Sequence, residues 1–259
     1  MMMPDPAGKA RWVLETKNIT GIPALALHDI AKSEKIPVRM EAFPDEPGFS
    51  GELLFKGDRR AIIVNTHIPS PQRHTFTFAH ELGHYFLGHA PTYEQDDAAG
   101  ILCTAEGIKT GSSKMEREAN TFAVELLMPE NRFLPMMFGA APDFALIKSL
   151  ARQFQVSKQA CGYRILDFTR EQCAILYSEN ARISGYKVSR SGKGFLRNIK
   201  QIPQGTLAHE AISTKQGQET FQECDPEKWL VRYTALTQLY SCTRGIFEKG
   251  LAMTILRWS

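Results

Sequence analysis

The stretch FTFAHELGHYFLGH, residues 76–89, decides how this chain is read. Phe78, Leu82, Phe86 and Leu87 recur about once per helical turn, the spacing of a buried amphipathic helix. Three histidines and a glutamate interrupt the apolar run, and a charged Glu81 in such a helix is costly without a partner. The interruption follows a pattern of its own. His80, Glu81, Leu82, Gly83 and His84 form an HExxH motif, and residues four apart on an α-helix project from one face, so both imidazoles reach a single ion. Glu81 is offset around the helix, beside the ion rather than on it, where a general base toward water is needed. Histidines merely satisfied inside a core are the bland alternative, and they leave Glu81 unexplained.

A catalytic zinc takes three protein ligands and keeps a fourth position open. The extended pattern HExxHxxGxxH does not supply the third, because Gly88 and His89 each miss its register by one residue, in opposite directions. A better source is MEREAN, residues 115–120, where Glu116 and Asn120 lie one turn apart. Glu116 completes a set of two histidines and a carboxylate, and Asn120 is placed to hydrogen-bond a ligand imidazole. Glu118 competes from the opposite side of that helix, although Phe122, Ala123, Leu126 and Leu127 put the core-facing side nearer Glu116 and Asn120. Zinc is the expected ion, and manganese occupies similar sites. His67, His74 and His89 read as bystanders, His74 with an outside role in touching substrate. Cys103, in GILCTAEG between the two ligand helices, is a candidate inhibitory ligand whose thiolate would take the water position; its alternative is a small buried apolar residue.

The rest of the chain frames this site. With 259 residues, 43% hydrophobic and 23% charged, it is an ordinary globular sequence long enough for one large domain or two modest ones, which excludes disorder. The N-terminus lacks the basic start and apolar core of a signal peptide, and the longest apolar stretch, residues 133–147, is broken by Pro135, Gly139 and Pro142. A cytoplasmic protein with no membrane partner is expected. Five cysteines, odd in number and never spaced CxxC, fit reduced thiols better than a disulfide framework and argue against a zinc ribbon.

Residues 22–35 read as an amphipathic helix, and IPVRMEAF, GELLFKG and RRAIIVNT as strands of a small antiparallel sheet. Residues 90–114 read as a long connection, 115–129 as a helix ended by Pro129, and 143–168 as two or three short helices. From residue 171 short alternating segments such as CAILYS, ISGYKVS and GLAMTILRW indicate a second, small α+β domain. The fold class is therefore α+β, with domains at 1–170 and 171–259. The second holds 12 Lys and Arg against 8 Asp and Glu, concentrated in Arg182, Lys187, Arg190, Lys193, Arg197 and Lys200. With Tyr186 and Phe195 interleaved, this cluster suits single-stranded DNA through phosphate contacts and base stacking; a solvated strand face is the alternative.

FTFAHELGHYFLGH followed by EREANTFAVELLMP resembles the ImmA/IrrE family of zinc metallopeptidases, and GFSGELLFKG with AIIVN upstream is similar to the family's strand before the helix. The similarity runs from about residue 20 to 170, since LARQFQVSKQACGYRI resembles the family's helical tail. The resemblance implies a zincin-like domain with His80, His84 and Glu116 as metal ligands and Glu81 as base. It also implies a helix-turn-helix repressor as substrate, often encoded beside the peptidase, whose cleavage switches on genes of mobile elements, DNA-damage responses or antiphage defence. IrrE-like members carry a GAF-like sensory domain after the peptidase, and residues 171–259 have a suitable size. Two other readings stay open: a DNA-binding regulator using the helix-turn-helix spacing of LARQFQVSKQACGYRI, with a non-catalytic metal site, and a toxin–antitoxin component.

Overall fold

The computed structural model describes residues 5–259 except 47, 68–69, 96–97, 235 and 247–248. The start of the N-terminal stretch, residues 1–4, therefore lies outside the described residues. Chain contacts divide the molecule into two compact units, residues 1–136 with 151–157, and residues 137–150 with 158–259. The architecture is mixed α+β, with one five-stranded sheet in each unit.

The first unit begins with α1 (Pro6–Thr16), started by Pro6 and by the Asp5 carboxylate, which accepts from the Gly8 N–H at 3.1 Å. The expected helix at 22–35 is shorter than its pattern: a 3-10 turn at Pro23–Leu25 precedes α2 (Leu27–Ser33). Strands β1 (Val38–Glu41), β2 (Phe49–Lys56) and β3 (Arg59–Asn65) follow, then α3 (Pro71–Leu87), β4 (Tyr93–Gln95), β5 (Ala98–Thr104), α4 (Ala105–Thr110), α5 (Lys114–Leu127) and α6 (Glu130–Met136). The sheet order is β1-β3-β2-β5-β4.

Two expectations are corrected here. The sheet is mixed rather than antiparallel, because β1 runs parallel to β3, Val38 opposite Ile62 through Glu41 opposite Asn65. The chain reverses between β1 and β2 and again in the β2–β3 hairpin, so β1 and β3 run the same way. The long connection at 90–114 also contains structure: β5 pairs with β2, Cys103 opposite Gly51 and Ile101 opposite Leu53. Its turn-forming flanks concealed a seven-residue strand.

Packing explains why eight consecutive residues of α3, Thr77 to His84, are buried. The helix lies against β2 and β3 on one side and against α5 and α1 on the other, so no face is left for solvent. The Arg11 guanidinium and the buried Glu125 carboxylate, 3.1 Å apart, pin α1 to α5.

In the second unit α8 (Lys158–Phe168), which follows α7 (Phe144–Phe154), packs on an antiparallel sheet of order β7-β6-β10-β9-β8. The strands are β6 (Gln172–Glu179), β7 (Arg182–Val188), β8 (Gln218–Cys224), β9 (Leu239–Ile246) and β10 (Leu251–Trp258), with α9 (Leu207–Thr214) between β7 and β8. Cys173 to Leu176 are all buried, because β6 is covered on both faces. Ala174 and Leu176 join Trp229, Leu256 and Trp258 in one core, while Ile175 meets α8 at Gly162. All five cysteines are free, and among the described residues no helix is long and apolar enough to cross a membrane.

Candidate metal centre

Glycine sets how closely the elements around α3 approach. A Cβ on Gly83 would lie 3.1 Å from the Ala119 carbonyl oxygen and 3.2 Å from Phe122, so α3 and α5 meet more tightly than a side chain at position 83 would ordinarily allow. A Cβ on Gly51 would lie 2.6 Å from Thr77 Cγ2 and 2.9 Å from Glu81 Oε1, so β2 is flush against the face of α3 that carries Glu81. An isolated glycine inside a strand pattern can mark such close backbone approach, a signal in the sequence that could have singled out Gly51.

Within this packing His80, His84, Cys103 and Glu116, all buried, offer ligand atoms that lie within 4.8 Å of one another. His80 Nε2 is 3.0 Å from His84 Nε2. Glu116 reaches both, with 3.2 Å from His80 Nε2 to Oε2 and 3.5 Å from His84 Nε2 to Oε1. The Cys103 thiol lies 3.6 Å from His84 Nε2 and 3.8 Å from Glu116 Oε1. Ser113 caps α5 by accepting from the Glu116 N–H at 3.1 Å, which holds the Glu116 backbone while its side chain turns to the imidazoles.

Asn120 fixes one imidazole. Its amide nitrogen donates to the Ile108 carbonyl at 2.7 Å, so its oxygen faces His80 Nδ1 at 3.0 Å and accepts from it. His80 then carries its proton on Nδ1 and turns a lone pair on Nε2 toward Glu116 and His84. Glu118, the competing ligand, points elsewhere: its Oε2 is 3.3 Å from His89 Nε2. His89 in turn places Nδ1 2.9 Å from His84 Nδ1, a partnership that the bystander reading of His89 missed.

Electrostatics follow the burial. Burial pushes the Glu81 carboxyl well above its usual range, opposed by the Cys103 thiol and reinforced by the charges of Glu116 and Glu52. Both Glu81 oxygens lack a hydrogen-bond partner, as does Glu116 Oε2. Burial, only partly offset by Glu116, pushes His84 down to about 4, and burial also lowers His89. Glu116 itself is buried, which raises it, yet the two imidazoles hold it well below the carboxylate range. Burial pushes the Cys103 thiol up. Near neutral pH, therefore, a neutral His84 imidazole, an ionised Glu116 carboxylate and the Cys103 thiol converge beside His80. A divalent cation fits this donor set, and the orphaned carboxylate oxygens are what its absence would leave.

The basic cluster of the second unit is not a single free face. Arg182, Arg190, Lys193 and Lys200 are exposed. Lys187 pairs with Asp167 at 2.6 Å, and Arg197 Nε donates to the Glu227 and Leu230 carbonyls at 2.8 and 2.9 Å. Phe195 packs against the core, while Tyr186 is 47% exposed.

No curated protein matches the sequence. Among solved structures, a Mycobacterium tuberculosis transcriptional regulator shares the fold, with a TM-score of 0.59 at 16% identity over 98% of this chain and 88% of that one. The family pattern described as the IrrE N-terminal-like domain of the M78 peptidases matches residues 31–166, more than half of the chain, and includes His80, His84, Cys103 and Glu116. The chain belongs to this IrrE N-terminal-like peptidase family.

Proposed function

We propose that this chain is a cytoplasmic, zinc-dependent, zincin-like endopeptidase that cuts a helix-turn-helix repressor and so derepresses stress-response or defence genes. One observation carries the reading: two Nε2 atoms 3.0 Å apart, faced by the Glu116 carboxylate and flanked by Glu81, neither of whose oxygens has a hydrogen-bond partner. A buried carboxylate among these groups is costly until a cation joins it. His80, His84 and Glu116 are the ligands. Two imidazoles, a carboxylate and a nearby thiol favour zinc over manganese, which prefers oxygen.

When bound, the ion supplies Lewis acidity toward water and the scissile carbonyl. Glu81 does the proton work. Burial raises its pKa and so strengthens it as a base; it takes a proton from the attacking water and delivers it to the amine nitrogen as the C–N bond breaks. Asn120 keeps His80 in the tautomer that leaves Nε2 free. Cys103, directly opposite Gly51 on the sheet, restrains the enzyme by occupying the position a substrate water needs.

Residues 1–170 form the peptidase with its helical tail, and residues 171–259 a sensory domain of GAF-like type. The signal is single-stranded DNA on the exposed Arg182, Tyr186 and Lys200, with Arg190 and Lys193 alongside; DNA damage and phage attack are the settings that produce it. A DNA-binding regulator is the second reading, favoured by the two helices α7 and α8 joined through residues 155–157, Gln155 in the left-handed conformation. Incubating the purified chain with zinc and the helix-turn-helix protein encoded beside it separates them. Cleavage that depends on zinc and is abolished in Glu81→Gln, with metal retained, supports the peptidase; a fully active Glu81→Gln protein refutes the mechanism.

A further inference from the structure

His80 has an explained tautomer, because Asn120 presents only an oxygen to its Nδ1. His84 needs an equivalent device, since a proton on its Nε2 would point straight at the ligand cluster. The turn after α3 provides one. Gly88 adopts the left-handed conformation, φ 68°, and ends the helix, and the His89 N–H then donates to the His84 carbonyl at 3.1 Å. This folds the His89 ring back beneath the last turn, with its Nδ1 2.9 Å from His84 Nδ1. The other nitrogen of His89, Nε2, meets Glu118 Oε2 at 3.3 Å.

With His89 neutral, as its burial favours, one assignment of protons satisfies the contacts that run from Glu118 to His84. An ionised carboxylate accepts and cannot donate, so neutral His89 carries its proton on Nε2. Its Nδ1 is then an acceptor, and His84 must donate from Nδ1. The His84 proton is thereby committed away from the cluster, and the Nε2 lone pair faces Glu116 and His80. Without Glu118, His89 is free to reverse, donate from Nδ1, and leave the His84 proton on Nε2. That proton would bridge to the His80 Nε2 lone pair 3.0 Å away, a self-satisfied arrangement that competes with a metal ion.

We propose that His89 and Glu118 are positioning residues that fix, across two hydrogen bonds, the tautomer in which His84 offers Nε2 to the cation; this rests on the reading of His80, His84 and Glu116 as its ligands. The arrangement mirrors that of Asn120 and His80, with each distal imidazole nitrogen held by a group whose polarity is set from outside the cluster. Glu118 also lies 3.6 Å from the Lys114 ammonium, which is 82% exposed on its side chain and serves as the control.

The test uses the full chain labelled with 15N-histidine, with two readouts: the imidazole nitrogen shifts of metal-free protein, which distinguish the tautomers, and zinc affinity by competition with a chromophoric chelator. In the wild type His84 resonates as the Nδ1–H form and His89 as the Nε2–H form. Glu118→Ala brings in an Nε2–H population on His84 and weakens zinc by about tenfold, the lower end of what losing such a partner costs. Glu118→Gln, whose amide oxygen still accepts from His89, keeps the wild-type tautomers and most of the affinity, and Lys114→Ala changes neither. Wild-type tautomers and affinity in Glu118→Ala would overturn the proposal, as would Glu118→Gln behaving like Glu118→Ala. Should the wild type bind no zinc, the ligand reading fails, while the nitrogen shifts still decide whether Glu118 sets the tautomer.

Discussion

Gly51→Ala tests whether Glu81 is held where the chemistry needs it. A Cβ there would meet Thr77 Cγ2 at 2.6 Å, Glu81 Oε1 at 2.9 Å and the Ile63 carbonyl oxygen at 3.0 Å. Thr77 is 3% exposed and cannot swing into solvent, and the Ile63 oxygen belongs to the β2–β3 ladder. Overpacking of this kind costs about 1–3 kcal/mol, and the better strand propensity of alanine returns at most ~1 kcal/mol. A net destabilisation of about 1–2 kcal/mol is expected in urea unfolding. Glu81 must also yield, and misplacing a catalytic group by about 1 Å costs roughly 100-fold in rate. Adding Thr77→Ser removes the methyl at 2.6 Å but not the contact with Glu81. In the double variant part of the stability returns and cleavage stays low, with metal binding intact throughout. Cleavage that recovers together with stability, or a Gly51→Ala protein unchanged in both, would refute the claim that Glu81 is packed against β2.

Other outcomes follow from the same geometry. His84 has a folded pKa of about 4 against 6.5 unfolded, so in metal-free protein its contribution is present above about 6.5 and is lost as pH falls through about 4. Glu81, raised on folding, acts in the opposite sense, so the effect is read in the Glu81→Gln background: the His84→Gln difference in unfolding free energy should change by roughly 3 kcal/mol between pH 7 and pH 4, and a pH-independent difference contradicts the burial argument. Cobalt-substituted protein should show a thiolate charge-transfer absorption that Cys103→Ala removes while raising basal cleavage; unchanged spectra and activity would end the restraint by Cys103. Gly83→Ala should lower metal affinity by about tenfold, on the scale of a lost supporting contact, because α3 and α5 must move apart by a few tenths of an ångström and carry His84 and Glu116 with them; wild-type affinity, measured by chelator competition, would contradict this.

Much of the site was readable before the fold because its signal is local. The i, i+4 spacing of His80 and His84, and of Glu116 and Asn120, depends only on helix geometry, and apolar periodicity chose Glu116 over Glu118 as the residue facing the imidazoles. What escaped was set by tertiary contact. The role of His89 depends on a left-handed turn at Gly88 folding it back onto its own helix, which no spacing rule conveys. Strand β5 was hidden because its pairing with β2 overrides the turn-prone residues around it, and with it the placement of Cys103 opposite Gly51. The basic cluster shows the converse: its charges are evident in the sequence, but Lys187 and Arg197 are committed to Asp167 and to backbone carbonyls.

Elemental analysis of the metal content tests the centre most directly. Purified chain saturated with zinc and dialysed should retain one ion per molecule, and His84→Ala and Glu116→Ala, checked to be folded, should retain none. Wild-type protein that comes through dialysis empty, or a Glu116→Ala protein that keeps its full complement, would contradict the account.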